Sequence, residues 1–115
     1  MAHIRHVAIR TENVERLVKF YIATFGLKVI EGVGPATYLT DGYLNLAILP
    51  KGRNPNDGFD HFGFEVESID ALIPVCEEAG AATGIQRRPA NREAEFRVQD
   101  PDGNSIDLSQ HGWPH

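Results

Sequence analysis

Two histidines and an aspartate are the side chains of this sequence best equipped for chemistry: His6, His61 and Asp107. Imidazole nitrogens and carboxylate oxygens both ligate divalent transition metals. Two of the first and one of the second hold one face of an ion and leave positions open for substrate or oxygen. That arrangement suits Fe(II), Mn(II), Co(II), Ni(II) or Zn(II). The three residues lie far apart in the chain, so spacing alone does not join them, and a lone strand histidine is usually satisfied by a hydrogen bond. An internal repeat does join them. His6-Val7-Ala8-Ile9 recurs as His61-Phe62-Gly63-Phe64, and Leu44-Asn45-Leu46 as Ile106-Asp107-Leu108. The turn Asp41-Gly42 recurs as Asp102-Gly103, so the repeat spans about half the chain. No phosphate loop, nucleophile elbow or CxxC motif competes with this set.

The elements that must position these residues follow from pattern. His3 to Arg10 reads as a strand. Asn13 can cap a helix carrying Val14, Leu17, Val18, Tyr21 and Phe25 at helical spacing, with Gly26 at its end. Strands follow over Leu27 to Glu31, Ala36 to Thr40 and Tyr43 to Leu49. Pro50 to Gly58 reads as a connector. The pattern then restarts with a strand over Phe59 to Val66 and a helix capped by Ser68 and ending at Gly80. Pro74 inside that helix should shift its start or kink it. A weak strand over Ala82 to Ile85, a clearer one over Glu93 to Gln99 and a last one over Ser105 to Ser109 complete the second unit. The expectation is an α+β chain of two tandem βαβββ units in one domain over residues 1–115. Unit one runs to about residue 50, the connector over 51–58 and unit two to about 110, with a short tail.

Side chains alternate along a strand. Val7, Ile9, Phe62, Phe64, Leu44, Leu46, Ile106 and Leu108 are the apolar set that packs on the helices. His6, Ala8 and Arg10 face the other way, with Tyr43, Asn45, His61, Gly63, Glu65, Glu95, Arg97 and Asp107. A face built only for packing would not be this polar. Curved sheets closing around it would form a metal-binding cup. Asn45 could offer an amide oxygen as a weak fourth ligand, or only line the cavity with Tyr43. Glu65 lies too far along its strand from His61 to ligate with it and reads as a rim residue. Arg10 and Arg97 could hold a substrate carboxylate or phosphate, or pair with Glu65 or Glu95. Cys76 falls on the apolar stripe of the second helix. His3, His111 and His115 read as surface residues.

Composition excludes other classes. The chain has 115 residues, 42% of them hydrophobic and 23% charged, with a net charge of −5. No basic stripe is present, which argues against a nucleic-acid partner. A single cysteine excludes an intrachain disulfide. No apolar run approaches a membrane span, and the first residues carry no signal core. The expectation is a cytoplasmic protein with neither membrane nor nucleic-acid partners.

Several stretches, in this order, resemble the vicinal oxygen chelate superfamily, the glyoxalase/bleomycin-resistance/extradiol-dioxygenase group. They are Ile4-Arg5-His6-Val7-Ala8-Ile9, Phe20-Tyr21, Phe25-Gly26-Leu27-Lys28-Val29, His61-Phe62-Gly63-Phe64-Glu65-Val66 and Asp100-Pro101-Asp102-Gly103-Asn104-Ser105-Ile106-Asp107-Leu108. The resemblance implies a metal cup built by two βαβββ units, commonly in a homodimer. It implies ligands from the first and last strands of each unit, here His6, Asn45, His61 and Asp107. Two departures stand out: Asp107 replaces the usual glutamate, and Asn45 replaces the glutamate or glutamine of glyoxalases and epimerases. A three-ligand site therefore fits better than a four-ligand one. The implied function is a metal-dependent lyase, isomerase or extradiol-type dioxygenase whose small substrate chelates the ion through adjacent oxygens. The alternative is a non-catalytic protein that sequesters a small ligand, as bleomycin-resistance members do.

Overall fold

The computed structural model describes residues 2–115. Its first half contains β1 (His3–Thr11), α1 (Val14–Phe25), β2 (Lys28–Ile30), β3 (Thr37–Thr40) and β4 (Asn45–Pro50). The second contains β5 (Gly58–Glu65), α2 (Ile69–Glu78), β6 (Gln86–Arg87), β7 (Phe96–Gln99) and β8 (Ser105–Ser109). The order strand, helix, three strands thus occurs twice. All eight strands form one sheet in the order β2-β3-β4-β1-β5-β8-β7-β6. Within each half the first strand pairs parallel with the last, β1 with β4 and β5 with β8. The halves join edge to edge through the antiparallel pair β1–β5.

Local chemistry fixes the element ends. Asn13 Oδ1 accepts from the Arg16 amide at 3.0 Å and opens α1; Gly26, with φ of 70°, closes it in the left-handed region that a side chain would resist. Ser68 Oγ caps α2 through the Ala71 amide at 3.1 Å. Pro74 lies on the exposed side of α2 and neither shifts its start nor ends it. Asp41 Oδ1 accepts from the amides of Tyr43 and Leu44, so β4 begins at Asn45 rather than Tyr43. The strand expected over Ala82 to Ile85 is displaced to Gln86–Arg87. Ala82 and Thr83 instead bond the backbone of Gln99 as a loop. The strand expected from Glu93 starts at Phe96, because residues 88 to 95 form a loop closed by the Arg88 amide on the Glu95 carbonyl.

The core has two parts. Val66, Ile69, Val98 and Leu108 pack with Leu72 and Cys76 beneath α2. Ala8, Tyr38 and Ala47 form a second cluster, on the face away from α1. No residue of α1 is fully buried. In β1 the polar-side positions His6 and Ala8 are buried, while Val7 and Ile9 are only half-buried. The face that carries the chemistry is thus the better enclosed one.

One transverse row of the sheet carries most of that face. By register it runs Thr40, Asn45, His6, Gly63, Asp107, Arg97 and Gln86. Gly63 leaves a gap in the middle of the row, and Trp113 of the C-terminal tail fills it. A Cβ at residue 63 would come within 2.7 Å of the indole ring. Trp113 is the chain's one tryptophan. Gly63→Ala is therefore expected to push the tail off the sheet and cost roughly 1–3 kcal/mol of stability. Urea denaturation should show the loss and Trp113 emission a red shift; unchanged values in both would contradict this packing.

Candidate metal centre

Two β-bulges aim the histidines. The β1–β5 register skips Arg5, just before His6, and Asp60, just before His61. A bulge bends its strand and re-aims the neighbouring side chains. Here the two bulges occupy equivalent places in the repeat. The result brings His6, His61 and Asp107 together: one ligand atom from each lies within 4.8 Å of the others, and all three residues are buried. His61 Nε2 is 3.1 Å from His6 Nε2 and 3.1 Å from Asp107 Oδ2. Donors about 2.1 Å from one ion and at right angles to each other are about 3 Å apart, so these separations fit a shared ion. All three donors come from one chain.

The far side of each ring decides what the near side can do. Asn45 Nδ2 donates to the Pro114 carbonyl at 2.9 Å. A carbonyl only accepts, so Asn45 Oδ1 must be the atom that faces His6 Nδ1, 2.8 Å away. His6 Nδ1 therefore carries the proton and Nε2 the lone pair. His61 Nδ1 donates in the same way to Asp60 Oδ1 at 2.6 Å. Burial raises the Asp60 pKa, but its bonds to His61 and Arg10 outweigh that and hold the carboxyl below its usual value. Two imidazole lone pairs and a carboxylate are left facing each other. Either a proton on one Nε2 or a cation must hold them together, and binding the cation expels the proton. This donor set fits a divalent metal ion.

Charge favours the ligating forms. Burial, then the proximity of His61, pushes His6 down to about 4, so it is neutral at physiological pH. Burial opposes ionisation of Asp107, but His61 and Arg97 hold its carboxyl far below the ordinary range. Arg97 Nε donates to Asp107 Oδ1 at 2.6 Å, which leaves Oδ2 for an ion.

The other expected site residues separate. Asn45 binds the back of the His6 ring and the tail, a position that orients a ligand rather than ligates. Arg97 lines the cavity of about 180 Å³ above the centre, but Arg10, Tyr43 and Glu65 do not. Arg10 Nη1 holds Asp60 Oδ2 at 2.8 Å, not Glu65 or Glu95. Tyr43 precedes β4, is 49% exposed and lies under the Arg5 guanidinium. Glu65 faces Arg5 at 3.5 Å. Glu95 anchors the tail through Ser109 Oγ, the Gln110 amide and His111. Sequence reasoning missed Asp60, because strict alternation puts it on the opposite face from His61. It also missed Trp113, which stacks on His6 at 4.8 Å with the rings parallel within 1°; the signal was a lone indole in a polar tail.

The model of the Glyoxalase/Bleomycin resistance protein/Dioxygenase superfamily matches residues 3–108. Lactoylglutathione lyase of Arabidopsis thaliana is 23% identical over 125 residues, covering 93% of this chain and 44% of that protein. A probable trivalent organoarsenical cleaving enzyme of Bacillus subtilis (strain 168) is 29% identical over 111 residues, covering 86% of this chain and 73% of its own. This chain thus spans less than half the length of the plant relative. The crystal structure of a hypothetical protein from Bacillus halodurans C-125 has the same fold, with a TM-score of 0.75 at 16% identity, covering 93% of this chain and 92% of that one.

Asp60→Asn removes the charged partner that fixes the His61 tautomer. Metal affinity measured by competition with a chelator should fall about 10–100-fold, with the fold retained by circular dichroism; unchanged affinity would contradict the role given to Asp60. A second expectation concerns pH. Burial holds the His6 pKa down at about 4 in the fold, against its ordinary 6.5 when unfolded. Between these values only the unfolded chain takes up the proton. Chelator-treated protein should therefore lose stability as pH falls from 6.5 to 4, by on the order of 3 kcal/mol. His6→Asn should flatten that slope in urea titrations.

Proposed function

This chain belongs to the Glyoxalase/Bleomycin resistance protein/Dioxygenase superfamily, and on that premise we propose that it is a metal-dependent enzyme. Its substrate is small and meets the ion through two adjacent oxygens. The observation that carries this reading is the convergence of His6 Nε2, His61 Nε2 and the Asp107 carboxylate at the base of an open cavity. His6, His61 and Asp107 would hold the ion. A divalent ion there would supply Lewis acidity to the substrate oxygens and, as iron(II), electrons to dioxygen.

The chain's own residues favour extradiol-type oxygenation over lyase or isomerase chemistry. A lyase or isomerase needs a base beside the ion. The cavity's other carboxylates are engaged: Asp60 lies behind His61 and is held by Arg10, and Glu93 accepts from the Val33 amide at 3.0 Å. Asn45 provides no base. Ala8, Ala47, Leu49 and Trp113 give the cavity an apolar side. Arg97 holds Asp107 in its charged form.

We further propose a homodimer. Phe20, Phe25 and Val29 are 52%, 64% and 57% exposed on α1 and the edge strand β2, an apolar surface that a second copy would cover. No helix among the described residues is long and apolar enough to cross a membrane, consistent with a cytoplasmic enzyme. Light scattering should give twice the 12.7 kDa chain mass, and Phe25→Glu should return it to the monomer.

Elemental analysis of protein purified without chelator tests the metal. About one ion per chain is expected, lost in His6→Ala and Asp107→Ala. Iron-loaded protein should then consume oxygen with catechol-type substrates. No metal, or full occupancy in both variants, would sink the site. Metal without oxygen consumption would shift the reading to lyase or isomerase chemistry. Small-ligand binding with no metal would shift it to a sequestering protein.

A further inference from the structure

The cavity is lined by three arginines, and two of them have no side-chain partner among the described residues. Arg88, Arg92 and Arg97 all line it, together with Asp60, Glu93 and Asp107. Arg97 is occupied by Asp107. Asp60 is occupied by Arg10 and His61, and Glu93 by the Val33 amide. Among the described residues Arg88 and Arg92 have no ion-pair partner. Arg88 Nε is buried and has no hydrogen-bond partner at all, alone in this among the buried side-chain nitrogens and oxygens described. A buried donor left unbonded is costly, and such groups in native proteins call for a missing partner.

Both arginines are held in place from behind. The Arg88 amide donates to the Glu95 carbonyl at 2.8 Å, and the Arg92 amide to the Pro89 carbonyl at 3.2 Å. The Arg92 stem runs beside Gly34 of the first unit, where a Cβ would lie 4.0 Å from Arg92 Cδ and 3.8 Å from the Tyr38 hydroxyl. Arg88 and Arg92 thus line the cavity from the loop over residues 88 to 95, with Arg92 beside Gly34 and near Tyr38 of the first unit. Burial, then the nearby charge of Arg97, lowers the Arg88 pKa, the direction expected of a cation short of anionic company.

Charge counting points the same way. The titratable lining is balanced, three arginines against three carboxylates, so a divalent ion would leave two positive charges in excess. The chain as a whole has a net charge of −5, so the cavity with its ion would depart in sign from the rest of the molecule. We propose that the substrate carries an anionic oxyacid group, a carboxylate or phosphonate, received by Arg88 and Arg92 while its two adjacent oxygens reach the His6–His61–Asp107 centre. A planar guanidinium takes such a group through two parallel hydrogen bonds. The proposal rests on the metal-centre reading and narrows its substrate class.

Calorimetry on cobalt-loaded protein, kept anaerobic, tests it with three probes: catechol, 3,4-dihydroxybenzoate and 3,4-dihydroxyphenylphosphonate. At least one of the acidic probes should bind roughly tenfold or more tightly than catechol, and which one does separates carboxylate from phosphonate. In Arg88→Met and Arg92→Met that preference should shrink several-fold; in Arg53→Met, an exposed position outside the cavity, it should persist. Equal affinity for all three probes, or a preference retained in both cavity variants, would overturn the proposal. Phosphorus NMR of methylphosphonate with chelator-treated protein separates the two readings. If the chain takes up no metal but broadens the methylphosphonate signal through Arg88 and Arg92, the metal reading fails and the anion site stands. If metal loads and neither acidic probe is preferred, the anion site fails alone.

Discussion

The site depends on a constraint imposed from behind it: the proton on each histidine ring is held on the side away from the centre. Pro114 offers only a carbonyl, which turns the Asn45 amide and so fixes the His6 tautomer. Asp60, kept ionised by Arg10, does the same for His61. Each imidazole then presents a bare Nε2 to the other and to Asp107. Such convergence of lone pairs is unfavourable without a positive charge between them, whether proton or metal. The second half of the site, Asp60 with Arg10 and Asn45 with the tail, is thus as much a part of the metal reading as the three ligands.

The fold supplies this arrangement through two departures from regular strand geometry. The bulges before His6 and His61 stand at equivalent points of the repeat, on either side of the β1–β5 seam that joins the units. Without them alternation would send Asp60 to the opposite face from the ring it orients. Gly63 makes room on the same row for Trp113, whose ring closes over His6. The sequence of causes runs from a glycine and two skipped residues to ring placement, and from ring placement to ligand chemistry.

Much of this was legible before the structure. The repeat paired His6 with His61, and two-residue periodicity put both on the face of Asp107 and away from the helices. Helix caps at Asn13, Gly26 and Ser68 were legible because capping is local chemistry. What could not be read was set by long-range contacts. Asp60 and Arg10 meet only through a bulge, and Tyr43 leaves the face because Asp41 ends the turn later than the apolar pattern suggests. The strand expected at Ala82 moved because Gln99, sixteen residues on, binds Thr83 instead. Arg88 and Arg92 lie in a loop with no periodicity at all, and only the assembled cavity shows that they lack partners.

The most direct measurement of the central claim is long-range proton–nitrogen NMR of the histidine rings, with and without zinc. His6 and His61 should both carry their proton on Nδ1 in the zinc-loaded protein, and the Nε2 resonances of both should shift on zinc addition while the Nδ1 resonances keep their protonated character. Rings that ignore zinc, or a His6 ring bound through Nδ1, would contradict it.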